Sequence, residues 1–225
     1  MTTISASSRF NWRSAVRQAL VNLDRAGLSQ RTTVVLIGSY AHATASPASD
    51  VDILVLFEGE RSKVRPVYGV HLQFEQLNRF RERLHNLDDY AIAAVRFGKP
   101  LCDALDVWSS CRDAAQRSAW PDWRKKFSQA KLRMRLARQL LESGDIDAAG
   151  EEYMLAGTQV SRGVLLKEHS YPRSRRELSR QLRQIGKDRL ATDFDVLVEG
   201  PSDESSIRAI AQRLEAVVRE ESLGD

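Results

Sequence analysis

Hydrophobic positions change their spacing along the chain, from short runs and alternations in the first half to long stripes of period near 3.6 in the second. Thr32 to Ile37 is a β-branched run that stops at Gly38, which predicts a strand followed by a turn. Val51 to Phe57 predicts a second, buried strand, and Glu58 to Pro66 a polar loop after it. Between Val67 and Glu75, Val70, Leu72 and Phe74 alternate with His71, Gln73 and Glu75, the period of a third strand. Helices are expected over 76–86 and 88–97, closed by Gly98 and Pro100, and Leu101 to Leu105 suits a short edge strand. Ahead of these, Phe10, Val16, Leu20 and Leu23 mark an amphipathic helix leading into the first strand.

From Trp120 onward the pattern is helical throughout. Phe127, Ala130, Met134, Ala137 and Leu141 form one stripe, with Gly144 as its stop. Ala149, Tyr153, Ala156, Val160 and Val164 form the next. Ser174 and Glu177 predict a capping box that opens a third helix after Pro172, and Ser202 is expected to cap a last one carrying Ile207, Ile210, Leu214 and Val217. The fold class is therefore α+β: a mixed sheet with helices over residues 1–118, followed by an all-α helical bundle over 119–225.

Composition narrows the class without naming it. Of 225 residues 42% are hydrophobic and 28% charged, the make-up of a globular protein rather than a disordered one. The run Val34 to Ile37 is far shorter than the ~20 apolar residues that a membrane helix needs. Cys102 and Cys111 stand apart from any histidine, so they form neither a disulfide framework nor a zinc site, and a cytoplasmic setting is expected. The net charge of +4 is concentrated. Arg124, Lys125, Lys126, Lys131, Arg133, Arg135 and Arg138 run without an acid between them, and Arg173, Arg175, Arg176, Arg180, Arg183 and Arg189 form a second cluster. Such stripes suit either a solvated helix face or a phosphate-rich partner, so nucleic acid enters as a candidate.

The chemistry is concentrated between Val34 and Phe57. One strand ends in Gly38-Ser39, and the next opens ten residues later with Asp50-Val51-Asp52. Residues two apart on an extended chain project to one face, so the two carboxylates point together. Side by side they repel unless a cation lies between them, and Mg²⁺ suits that place because it takes oxygen ligands and shares them with phosphates. Gly38 allows close backbone approach to a phosphate, and Ser39 offers it a hydroxyl and an N–H. These parts together describe metal-assisted nucleotidyl transfer.

The spacing of Gly38, Ser39, Asp50 and Asp52 resembles the DNA polymerase β-type nucleotidyltransferase superfamily, in particular its minimal and kanamycin-type members. The resemblance implies a donor nucleoside triphosphate, ATP by preference, two Mg²⁺ ions, and a small-molecule or macromolecular hydroxyl acceptor. It also implies a third carboxylate on the third strand, facing the pair. Glu75 is the one acid offered there, and it is assigned as a catalytic base or third metal ligand. Ala43 stands near the place where many members have a second glycine. Tyr40 and His42 adjoin the phosphate turn, Tyr40 as packing and His42 as either a phosphate contact or a solvated side chain. Asp103 is expected to be structural.

The second half resembles, more weakly, the HEPN-type helical domains that accompany these enzymes. Arg162, six intervening residues, His169, Ser170 and Tyr171 follow the form used by HEPN ribonucleases, with Arg162 and His169 on one helix face. Competing expectations are therefore transfer to a small molecule, transfer to protein or RNA as in toxin–antitoxin systems, nucleotide binding with weak catalysis, and ribonuclease activity.

Overall fold

The computed structural model describes residues 10–47, 49–200 and 203–223. The chain divides into two compact units, Met1–Ala119 and Trp120–Asp225.

The first unit is built on a four-stranded mixed sheet. Helix α1 (Trp12–Arg25) leads through a 3₁₀ turn (Ser29–Arg31) to strand β1 (Thr32–Ile37), a one-turn helix α2 (Gly38–Ala41) and strand β2 (Val51–Phe57). Strand β3 (Val70–Gln76), helices α3 (Leu77–His85) and α4 (Asp89–Phe97), strand β4 (Lys99–Asp103) and helix α5 (Trp108–Arg117) complete it. The sheet order is β3-β2-β1-β4; β1 runs antiparallel to both neighbours, and β2 and β3 are parallel. Both central strands are buried almost end to end, as the apolar runs Val34–Ile37 and Ile53–Phe57 within them require. Val34, Leu36, Val51, Ile53 and Val55 face Val16, Ala19 and Leu23 of α1 in one core cluster. Asp52, Leu54 and Leu56 alternate with the β2 residues of that cluster, and His71, Gln73 and Glu75 lie level with them on β3.

The third strand is shorter than its alternation suggests. Val67 makes only an isolated bridge to Val70, and the chain turns at Gly69 before the ladder begins. Helix α5, not among the expected elements, buries Trp108, Cys111 and Ala115 at helical spacing and is started by a side chain. The Asp103 carboxylate accepts the amides of Val107 and Trp108, and it also takes the hydroxyl of Thr33 on β1 at 2.5 Å.

The second unit contains helices α6 (Arg124–Glu142), α7 (Ile146–Lys167), α8 (Arg175–Gln184), α9 (Asp188–Glu199) and α10 (Glu204–Leu223). The stripe from Phe127 to Leu141 packs on the stripe from Ala149 to Val164, across the short turn at Gly144. Gly163, a poor helix former, is placed by packing: a Cβ there would stand 2.5 Å from the Phe127 ring. Ser174 does precede α8, but the expected capping box is not made. Its hydroxyl donates to the Glu177 carboxylate at 3.0 Å instead of accepting a backbone amide, and Arg180 closes on the same carboxylate at 2.8 Å. Ser202 lies outside the described residues; Asp203 accepts the Ser206 amide at the start of α10. No helix among the described residues is long and apolar enough to cross a membrane.

Candidate active site

The site is assembled by register rather than by sequence proximity. Antiparallel pairing sets Ile37, the last residue of β1, opposite Asp52 on β2. The chain then turns at Gly38 with φ +67, a left-handed value that disfavours any side chain. A Cβ at Gly38 would lie 2.5 Å from Asp52 Oδ2, so the glycine is also what lets the turn meet the carboxylate. Ser39 follows directly on α2, and no described residue is hydrogen-bonded to its hydroxyl. Ala43 closes the turn with φ 57, in the conformation a glycine would take without strain.

On its other side Asp52 meets β3. His71 is its cross-strand partner, with Nδ1 3.3 Å from Asp52 Oδ1. Gln73 follows on the same face, its Nε2 3.5 Å from that Nδ1, and its Oε1 accepts the Tyr90 hydroxyl at 2.5 Å. The Tyr90 bond thereby turns the Gln73 N–H group toward the Asp52 carboxylate, to which it donates, and the His71 Nδ1–H donates to Asp52 as well. Burial pushes the Asp52 carboxyl above its ordinary value, against the hydrogen bond and charge of His71, and the neighbouring Asp50 charge pushes it the same way as burial. Burial likewise raises the Tyr90 phenol, so it stays a donor to Gln73.

Glu75 is not brought to the pair. Parallel register sets it opposite Leu56, four residues past the position level with Asp52, a run of roughly 13 Å along a strand. Both its oxygens lie 3.1 Å from Arg83 Nη1, while Arg83 Nη2 reaches Asp88, the cap of α4, at 2.7 Å. The carboxylate thus ties β3 to the helices. The residues that do face Asp52, His71 and Gln73, were visible in the alternation but could not be placed without the register of β2 on β3.

The other residues near the turn pack against neighbouring rings. Tyr40 packs on Trp12 with ring centroids 5.2 Å apart, and His42 stacks on Phe97 at 4.8 Å. In the second unit Arg162 lies on α7, but His169 lies past the helix end with φ 52 and stacks on Trp120. The two do not share a helix face, because the helix stops before the second of them.

Among the described residues no group of three or more His, Cys, Asp or Glu is placed to hold a metal ion. Two carboxylates alone still suit Mg²⁺, which commonly keeps waters and takes further ligands from substrate phosphates. They fit an ion that arrives with its nucleotide, not a cage of protein ligands.

A solved structure of a nucleotidyltransferase-like protein from Exiguobacterium sibiricum is similar in fold. Its TM-score is 0.53 at 15% identity, over 95% of this chain and 76% of that one. No curated protein matches the chain. The family model described as the nucleotidyltransferase domain matches residues 16–119, which include β1, the Gly-Ser turn and the Asp50–Asp52 pair and end where the second unit begins.

Proposed function

We propose that the first unit transfers a nucleoside monophosphate from a nucleoside triphosphate, ATP by preference, to a hydroxyl acceptor. The observation that carries this is the contact between Gly38 and Asp52, which puts the Gly-Ser turn directly against a carboxylate that no lysine or arginine neutralises among the described residues. In this assignment the Ser39 hydroxyl and the backbone of the turn hold the donor phosphates. Asp50 and Asp52 would hold one Mg²⁺, which supplies charge neutralisation at the phosphates when bound. His71 and Gln73 keep Asp52 Oδ1 in place, leaving Oδ2 on the side of the turn. The acceptor oxygen forms a bond to the α-phosphorus, the bond to the departing pyrophosphate breaks, and the acceptor proton is lost. With Nδ1 engaged by Asp52, Nε2 of His71 is the ring nitrogen left to receive that proton.

The expected result is that protein incubated with Mg²⁺ and α-labelled ATP passes label to an acceptor, and that Asp50→Asn combined with Asp52→Asn abolishes it. Undiminished labelling by the double variant would falsify the proposal. One observation favours a second reading. The strand position facing Asp52 carries His71 rather than an acid, which suits a protein that binds Mg²⁺–nucleotide and turns it over slowly. Nucleotide binding without label transfer to any acceptor would select it.

A further inference from the structure

The sheet order puts Asp52 between two different neighbours. The phosphate turn meets it from the β1 side, and His71 and Gln73 meet it from the β3 side. On that second side a cavity of about 590 Å³ opens. Gln73 and Tyr90 form part of its wall, so the cavity begins one side chain away from Asp52. Its other walls include Phe57, Phe74 and three arginines, Arg61, Arg79 and Arg83, against the one acid Glu75.

The arginines are not equivalent. Arg83 is spent: Glu75 and Asp88 take its nitrogens, and its guanidinium lies over the Tyr90 ring at 4.8 Å. Because Arg83 already occupies Glu75, the other two set the charge of the space. The Arg61 guanidinium carbon lies 4.4 Å from the Phe74 ring centroid, and Arg61 has no hydrogen-bond or ion-pair partner among the described residues. Arg79 makes no hydrogen bond or ion pair to any described residue, although acids are plentiful in the chain. Two uncommitted guanidinium groups at the mouth of one cavity, with aromatic rings beside them, suit a planar or sugar-bearing ligand that carries phosphate. They repel a cationic one.

We infer that this cavity seats the acceptor, and that the acceptor carries a phosphate group directed away from its reacting hydroxyl, toward Arg61 and Arg79. The inference rests on the nucleotidyl-transfer reading and gives it a substrate class. Gln73 and Tyr90 link the near end of the cavity to His71 and Asp52, and its arginine-lined end lies farther along β3, beside Glu75 and Gln76. That acceptor chemistry is shared by an RNA 3′ end and by a small sugar phosphate, and it differs from that of an aminoglycoside.

The test measures binding first, without ATP or Mg²⁺, by calorimetry on the full chain. Three probes are used: a short single-stranded RNA with a free 3′-hydroxyl, ribose 5-phosphate, and the cationic aminoglycoside kanamycin. At least one phosphate probe is expected to bind and kanamycin not to. Binding by the RNA alone identifies a nucleic-acid end, and binding by ribose 5-phosphate identifies a small acceptor. Arg61→Gln with Arg79→Gln is expected to weaken the bound probe by roughly tenfold or more, with ATP affinity unchanged. The inference is overturned if neither phosphate probe binds, if the double arginine variant binds as the wild type does, or if ATP displaces the probe. Label transfer from ATP to kanamycin overturns it while leaving nucleotidyl transfer standing. Phosphate-probe binding in a protein that transfers label to nothing leaves the cavity assignment standing and sinks the transfer.

Discussion

Asp52 in the first unit and Glu221 in the second are both carboxylates that burial pushes upward, and they end on opposite sides of the ordinary value. Glu221 is held by Lys187 at 2.8 Å and Lys167 at 3.2 Å, whose hydrogen bonds and charges outweigh burial and bring its pKa down. Asp52 has a histidine, an amide and a second acid, and its pKa stays raised. The same contrast runs through the neighbours of each. In the helical unit Asp193 pairs with Arg213 at 2.7 Å, Asp195 with Arg183 at 2.6 Å and Glu152 with Arg133 at 2.9 Å. At the strand end the Asp50–Asp52 pair has no lysine or arginine partner among the described residues, in a chain with 34 of them. A carboxylate that serves the fold is neutralised by the fold; the pair assigned to the proposed cation has no lysine or arginine beside it, and the fold bears the cost.

The sharpest way to break that contrast is to remove the two charges. Asp50→Asn with Asp52→Asn should lower label transfer by about a thousandfold or more, since it removes several kcal/mol of phosphate-charge stabilisation. It should not lower thermal stability. A raised carboxyl pKa stabilises the fold below the unfolded value of 3.8, and that contribution is lost as pH rises through the folded value. At neutral pH the ionised wild type therefore melts no higher than the double variant, and the two converge as pH falls toward 3.8. A double variant that melts clearly lower at pH 7 would mean the pair is structural.

Gly38→Ala attacks the same junction from the other strand. The new methyl group meets Asp52 Oδ2 at 2.5 Å on a backbone with φ +67. A loss of about 2 kcal/mol in denaturant unfolding is expected, with transfer falling alongside it. An alanine variant of full stability and activity would show that the turn and the carboxylate do not need to touch.

Much of this junction was legible before any coordinates. The placing of β1 and β2 follows from the apolar runs Val34–Ile37 and Ile53–Phe57 within them, and the meeting of Gly38 with Asp52 follows once those runs pair antiparallel. Glu75 shows where legibility ends. Alternation assigned it to the correct face of β3, but only the register with β2 tells which residue on that face stands level with Asp52, and a strand has no sequence signal for that number. Helix α5 differs: Trp108, Cys111 and Ala115 keep helical spacing, and what that spacing does not record is the start, where Asp103 accepts two amides. Helix α9 follows α8 after only Ile185 to Lys187, so no distinct break in the sequence marks it off.

The helical side of the comparison can be broken at Glu221. Glu221→Gln leaves Lys167 and Lys187 facing a neutral amide, and a loss of about 1–2 kcal/mol at pH 7 is expected from denaturant unfolding. The sign with pH is opposite to that at Asp52. A lowered carboxyl pKa stabilises the fold above the unfolded value of 4.5, and that contribution is lost as pH falls through the folded value. The gap between wild type and variant should thus be full at pH 7 and shrink below 4.5. A gap that is unchanged at low pH would assign the loss to packing rather than charge.

The smallest effect sharpens what the strand end tolerates. Ala43 holds φ 57 just past α2, a conformation that costs an alanine roughly 1 kcal/mol and a glycine little. Ala43→Gly relieves that strain but also frees the unfolded chain, so the net gain should be about 0.5 kcal/mol or less. If the left-handed residue serves to stiffen the phosphate turn, the glycine variant will be slightly more stable and yet bind ATP more weakly, because a looser turn must be ordered by the ligand. Equal ATP affinity in a stabilised variant would show that the alanine adds strain without holding the turn.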